Sequence, residues 1–81
     1  MSVGPAITQV ALAVTQRAAR ELLEVAPLRE TGHLLLMQVL AASGNVAEAL
    51  AAYERLRVLL REELGVNPSQ AVQDAHTKLL A

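Results

Sequence analysis

One stretch, residues 44–69, constrains the fold most, because it describes a long helix together with both of its ends. Asn45 is a good N-cap residue, and Glu48 three positions later completes the pattern of a capping box. Gly65 follows the last apolar position, where a left-handed C-terminal cap favours glycine. Between these ends the apolar residues recur at steps of three and four. The sequence therefore predicts a helix over residues 46–64.

The composition of the chain favours an all-α protein. Of the 81 residues, 53% are hydrophobic, yet only Tyr53 is aromatic and there is no cysteine. The apolar residues are mainly alanine and leucine, which form helices readily, whereas a β fold is expected to carry more β-branched and aromatic side chains. Without cysteine, neither a disulfide framework nor a thiolate metal site can form. We expect one all-α domain over residues 1–81, with residues 1–5 disordered.

Start and stop signals divide the chain into four predicted helices. Pro27 ends the first helix, because the residue before a proline avoids the helical conformation, and it can open the second. A tight turn at residues 43–45 leads into the third helix. Pro68 follows the cap residue Asn67 and fits the first position of the fourth helix. The predicted helices lie near residues 6–25, 28–43, 46–64 and 68–80.

Apolar residues predict which faces of the first two helices are buried. The second helix is apolar over most of its circumference, so we expect it to be central and covered on more than one side. The expected buried face of the first helix consists of Ile7, Val10, Ala11, Val14, Ala18, Leu22 and Val25. Leu12 and Leu23 lie off this face, and we expect them to be protein contacts through which the chain self-associates. Two ion pairs at a spacing of four residues are predicted on the outer side: Arg17 with Glu21 and Arg20 with Glu24.

Apolar and small residues recur at fixed offsets on both sides of the turn. They are Leu36, Met37, Leu40, Gly44, Ala49, Tyr53 and Leu56. This pattern is similar to a tetratricopeptide repeat, in which two antiparallel helices interlock. Ala49 is the small residue that allows close approach, and Tyr53 is the bulky one that fills the gap. The closing proline of the repeat is replaced by Arg61, so we expect a tetratricopeptide-like hairpin with a lengthened second helix.

Four short segments at a particular spacing resemble a known family. They are Pro27-Leu28-Arg29-Glu30, Leu36-Met37, Gly44-x-x-Ala47-Glu48-Ala49-Leu50-x-x-Tyr53-Glu54 and Glu62-Glu63-Leu64-Gly65-Val66-x-Pro68-Ser69. Together, over about residues 20–80, they resemble the C-terminal part of the bacterial transcriptional activation domain of SARP-type regulators in actinobacteria. The resemblance implies a tetratricopeptide-like module that works by protein contacts. Such modules usually follow a winged-helix DNA-binding domain, which we do not expect within this sequence.

The residues that could act as metal ligands or catalytic groups do not have the spacing of a metal site or an active site. His33 and His76 lack metal-binding spacing, so they are expected to be solvated or half-buried helix residues. Glu62 and Glu63 are adjacent and point about 100° apart on a helix, so they cannot act as a facing carboxylate pair. We therefore expect no enzyme activity and no cofactor or metal.

The charge pattern and hydropathy narrow the expected partners to proteins. The net charge is −1, and the nearest approach to a basic patch is Arg55, Arg57 and Arg61, with Glu54 partly neutralising Arg57. Three arginines contact too few phosphates for useful affinity at physiological salt. No apolar run approaches the roughly 20 residues that a membrane span needs. We expect a cytoplasmic protein that neither binds DNA sequence-specifically nor contacts membranes.

Two functions are consistent with these features. One is a regulatory interaction module of a transcriptional regulator, whose partners are a second copy, another domain of the regulator or the transcription machinery. The alternative is a stand-alone helical oligomer or adaptor with no role in transcription. Seven residues are expected to be structural: Glu30, Gly44, Asn45, Ala49, Tyr53, Gly65 and Pro68. Glu30 favours the helix dipole in the first turn of the second helix, and we expect it to pair with an arginine of a neighbouring helix.

The chain alone is predicted not to bind DNA sequence-specifically, because it lacks a basic recognition helix and aromatic stacking residues. A fluorescence anisotropy titration at about 0.15 M salt tests this. Binding in the micromolar range or tighter, with a steep dependence on salt, would contradict the prediction.

Overall fold

Four α-helices make up the part of the chain that the structure describes. The computed structural model describes residues 5–81, with side chains from Thr8 onward. In chain order the helices are α1 (Pro5–Val25), α2 (Glu30–Ala42), α3 (Val46–Leu64) and α4 (Gln70–Leu80). This confirms the all-α prediction. The disorder predicted for residues 1–4 lies outside the described residues, and Pro5, which was also expected to be disordered, begins α1.

The central helix is α2, as its continuous apolar surface predicted. It contacts α1, α3 and α4, whereas α1 contacts no helix other than α2 among the residues that the structure describes. Six of its residues are buried, and its exposed residues Thr31, Gln38 and Ala42 share one narrow side, so most of its circumference is covered. The buried core consists of Ala19, Leu36, Met37, Val39, Leu40, Ala49, Ala52, Leu56, Leu60 and Val72. Only one of these residues comes from α1 and only one from α4, so the core is mainly the interface between α2 and α3.

The turn between α2 and α3 is a Schellman motif. Gly44 has φ 82°, and its N–H donates to the carbonyl oxygen of Ala41 at 3.0 Å. The N–H of Asn45 donates to the carbonyl oxygen of Leu40 at 2.8 Å. The predicted capping box is therefore wrong: Asn45 is the N-cap of α3, but its side chain makes no capping hydrogen bond. The backbone N–H that Glu48 would accept from is already bonded within the turn.

The ends of the other helices differ from the predictions by up to two residues. Gly65 has φ 67° and closes α3 by donating its N–H to the carbonyl oxygen of Arg61. The N-cap of α4 is Ser69 rather than Asn67, and its Oγ accepts from the N–H of Val72. Pro68 is therefore not the first helical residue but a buried residue ahead of the helix.

The second helix also begins later than predicted, at Glu30 instead of residue 28. The N–H of Arg29 donates to the carbonyl oxygen of Ala26 at 3.1 Å, which closes a turn around Pro27. This turn takes up the residues that were expected to form the first helical positions of α2.

The buried face of α1 is the opposite of the predicted one. Ala19 is fully buried, and Leu12 and Leu23, the expected protein contacts, are half-buried against the core. Val10 and Val14, expected to be buried, are exposed. The two ion pairs predicted along the outer side of α1 are not among those formed within the described residues.

Close approach between α1 and α2 explains this reversal. A Cβ atom at Gly32 would lie 3.1 Å from the Cβ of Leu22 and 3.3 Å from the Cδ2 of Leu23, so glycine permits this close approach, whereas a larger residue would require α1 to move by a few tenths of an ångström. Ala19, fully buried on the same interface, has the smallest side chain that still contributes apolar area. Because α1 is apolar on two sides, the position of these small residues, rather than the total apolar content, selects the side that packs.

Replacing Ala49 with leucine is predicted to force α2 and α3 apart. Ala49 has no exposed surface, so the added methylenes must displace neighbours at a cost of about 1–3 kcal/mol in the free energy of unfolding. Ala51→Leu is the matched control, because Ala51 lies on the same helix but is exposed. Chemical denaturation monitored by circular dichroism measures both. Equal unfolding midpoints for the two variants would contradict the prediction that α2 and α3 interlock at Ala49.

Candidate functional site

A groove between α2 and α4 is the candidate functional site. Its volume is about 350 Å³. Met37 of α2 is buried at its floor, and Ala75 and Leu79 of α4 are half-buried along its side. The remaining lining residues are Gln38, Ala41, Ala71, Asp74 and Lys78. An apolar floor beneath a polar rim is a surface on which apolar side chains can be buried while polar groups set orientation.

The rim of this groove carries one charge of each sign. Asp74 and Lys78 stand four residues apart on α4, so they lie on the same side of the helix. The Nε2 of Gln70 donates to Oδ1 of Asp74 at 2.8 Å, which holds the carboxylate in place. Neither Asp74 nor Lys78 faces a nucleophile or a second titratable group across the groove. The arrangement therefore suits the binding of a partner better than catalysis.

Glu30 fixes the start of α4 against the start of α2. Its Oε1 accepts from the backbone N–H of Ser69 at 2.7 Å, although the two residues are 39 positions apart in the sequence. The arginine partner expected for Glu30 is therefore replaced by a backbone donor. Ser69 in turn accepts the N–H of Val72, so the first turn of α4 is held through both its backbone and its side chain.

The second link to α4 is an aromatic stack. The rings of Tyr53 on α3 and His76 on α4 are 3.7 Å apart between centroids and inclined by 4°. We expected Tyr53 to fill the gap within the α2–α3 hairpin, but its half-buried ring instead packs on the next helix. The sequence did not reveal this contact, because the two residues belong to different helices and neither carries a local pairing pattern.

His33 has a structural environment. It is the one buried polar side chain of the described residues, and its Nε2 donates to the carbonyl oxygen of Pro27 at 2.7 Å. This bond ties the second turn of α2 to the connection that precedes it. Within the part of the chain that the structure describes, no three histidine or acidic residues are grouped so as to hold a metal ion.

The arginine-rich side of α3 is partly neutralised, as predicted. Nε of Arg57 donates to Oε2 of Glu54 at 3.0 Å, and the two side chains form an ion pair. The hydrogen bond from Arg57 lowers the pKa of Glu54, and the same bond raises the pKa of Arg57. Both side chains are in contact with solvent, so this pair contributes little to stability. The pair does neutralise Arg57, one of the three arginines of α3 that could have contacted DNA phosphates.

Fold and site together define an α-helical module of tetratricopeptide-like hairpins that presents a small apolar groove. A family model, the bacterial transcriptional activator domain, matches residues 8–80. The chain therefore belongs to this family, which confirms the resemblance seen in the sequence and extends it toward the N-terminus. The family comprises domains of transcriptional regulators and is not a class of enzymes.

Two curated relatives are similar to this chain over a short region. The regulatory protein AfsR of Streptomyces coelicolor is 48% identical over 54 residues, covering 67% of this chain and 5% of that protein. AfsR of Streptomyces griseus is also 48% identical over 54 residues, covering 67% of this chain and 6% of that protein. The chain thus spans about a twentieth of the length of these relatives. No solved structure matches it significantly. Among residues 5–81, no helix is both long enough and apolar enough to cross a bilayer.

Glu30→Ala is predicted to loosen the start of α4. Loss of the acceptor for the Ser69 N–H should lower the free energy of unfolding by about 0.5–2 kcal/mol. It should also speed hydrogen exchange in the first turn of α4. Glu48→Ala is the matched control, because Glu48 also lies in the first turn of a helix but makes no side-chain hydrogen bond there. If exchange in α4 rises equally in both variants, the hydrogen bond that Glu30 accepts from Ser69 does not position this helix.

Proposed function

We propose that this chain is a protein–protein interaction module of a bacterial transcriptional regulator, that it acts as one unit over residues 1–81, and that it works in the cytoplasm. Membership of the activator-domain family supports the regulatory setting. The single observation that carries the interaction role is the groove between α2 and α4, with its apolar floor and charged rim.

The size and composition of the groove match a short segment of a folded partner. A volume of about 350 Å³ accommodates one or two apolar side chains. Asp74 and Lys78 then lie beside a bound segment and favour partners that carry the opposite charges at the same spacing. Another domain of the regulator and the transcription machinery are both partners of this kind.

The helix contacts around α4 support binding by a preformed surface. Glu30 holds the backbone at Ser69, and the Tyr53–His76 stack holds the next turns of α4 to α3. A groove whose walls are already in place loses less conformational entropy when a partner binds.

The charge of the chain supports contacts with proteins and not with DNA. One of the three arginines of α3 is already paired with Glu54, and the chain is net acidic. We therefore assign DNA reading to other parts of the regulator.

Tethering the chain to DNA tests this function. The chain is fused to a heterologous DNA-binding domain that lacks activity of its own, and transcription of a reporter is measured in a Streptomyces host. The fusion should raise transcription above the level of the DNA-binding domain alone. Ala71→Glu places a bulky charge on the rim of the groove and should reduce the increase about tenfold, which corresponds to about 1.4 kcal/mol of binding free energy.

Ala47→Glu is the matched control for the groove variant. Ala47 and Ala71 are both exposed alanines at the second position of a helix, but Ala47 lies on α3, outside the groove. Glutamate has the same favourable effect on the helix dipole at both positions. The proposal fails if the fusion leaves transcription unchanged, or if the two variants reduce it equally.

A further inference from the structure

A recess above α2 separates α1 from α3. Both helices pack on α2, but among the described residues they do not pack on each other. The space left between them, which we call the α1–α3 recess, has a volume of about 310 Å³. Leu36 and Leu40 of α2 are buried at its floor, and Leu23 of α1 and Ala51 of α3 line its sides. The recess shares no lining residue with the α2–α4 groove, so it is a separate surface.

Three charged side chains line the mouth of the α1–α3 recess. Arg20 belongs to α1, whereas Glu48 and Arg55 belong to α3, so the two guanidinium groups come from different helices. None of the three forms an ion pair within the described residues. Glu48 and Arg55 are about two helical turns apart, or roughly 10 Å along the axis. Two arginines and one glutamate make the mouth net positive, although the whole chain has a net charge of −1.

Unpaired arginines at a recess favour an anion as the bound group. A guanidinium presents its N–H donors in a planar fork that matches the two oxygens of a carboxylate. Arg57 shows this pairing within the chain, because it binds the carboxylate of Glu54. Arg20 and Arg55 have no such partner among the described residues, so they remain available to carboxylates of another molecule.

Glu48 favours a carboxylate over a phosphate as that anion. Its own carboxylate lies at the same recess, and it repels a phosphate group, with a charge of about −1.5 to −2, more strongly than a singly charged carboxylate. A nucleic acid strand needs a track of cations, whereas two arginines neutralise about two phosphates and give little affinity at physiological salt. The volume accommodates one or two side chains. Acidic side chains of a protein therefore fit the recess best.

We propose that the α1–α3 recess binds an acidic segment of a partner protein, in which one carboxylate bonds Arg20 and a second bonds Arg55. This adds to the proposed function a second contact surface, which recognises its partner mainly by charge. The charged groups at the mouth are exposed, so solvent screens them and each ion pair contributes little free energy. The complex is therefore weak, with a dissociation constant of about 0.1–1 mM.

An NMR titration of the ¹⁵N-labelled chain at about 0.15 M salt tests this binding. The probe is a short synthetic peptide in which aspartate alternates with alanine, and the control peptide has asparagine in place of each aspartate. The aspartate peptide should shift the Nε–Hε signals of Arg20 and Arg55. The same signals of Arg17 and Arg61, which lie on the same two helices but outside the recess, should not move. The asparagine peptide should shift none of them.

Removal of single charges separates binding in the recess from general attraction. Arg20→Gln and Arg55→Gln should each weaken binding of the aspartate peptide about two- to fivefold, because each loses one carboxylate contact. Arg17→Gln and Arg61→Gln are the matched controls, since each removes the same charge from the same helix at an exposed position outside the recess. Screening by salt should leave their dissociation constants nearly unchanged.

Glu48→Gln is predicted to have the opposite effect. It should strengthen binding of the aspartate peptide about twofold, because it removes a like charge from the mouth of the recess. Glu62→Gln is its control, since Glu62 is exposed on α3 outside the recess and should leave the dissociation constant unchanged. Circular dichroism establishes that all variants keep the helix content of the parent.

Four results would overturn this assignment. They are the absence of shifts at Arg20 and Arg55, equal weakening by the recess and control arginine variants, a Glu48→Gln variant that binds no more tightly than the parent, and a single-stranded oligonucleotide that shifts the two arginine signals at lower concentration than the peptide. None of these results bears on the tethering experiment, because Ala71 lies in the α2–α4 groove. A fusion that fails to activate transcription would likewise leave peptide binding by the isolated chain intact.

Discussion

Burial of α2 from several sides is the constraint on which the rest of the structure depends. A helix that is apolar around most of its circumference is stable in water only when other helices cover it. α1, α3 and α4 provide this cover, each from a different direction. Their distances from α2 depend on small residues, because Ala19 and Ala49 are fully buried and Gly32 admits α1.

Polar and aromatic contacts then determine the position of α4, which has little core of its own. Val72 is its only fully buried residue, so burial alone leaves the helix free to shift. The hydrogen bond that the N–H of Ser69 donates to Glu30 holds the start of α4, and the stack of His76 on Tyr53 holds its middle. These contacts matter for the proposed interaction, because the groove between α2 and α4 exists only when α4 lies at this distance from α2.

Two surfaces of different character result from this arrangement. The groove combines a small apolar floor with Asp74 and Lys78, so it can discriminate between partners by charge and by shape. The exposed valines of α1, Val10, Val14 and Val25, are apolar, so burying them gains free energy mainly by excluding water.

The sequence by itself determined the all-α class, the family, the bounds of α3 and the central position of α2. These features depend on periodicity and on glycine at a left-handed cap, which act within a few residues. Tertiary structure alone decided which apolar side of α1 is buried, which oxygen caps α4 and where the ring of Tyr53 packs. Local patterns allowed two answers for α1, because both of its sides are apolar. The close approach at Gly32 selected one of them, since only a contact between distant residues distinguishes the two sides.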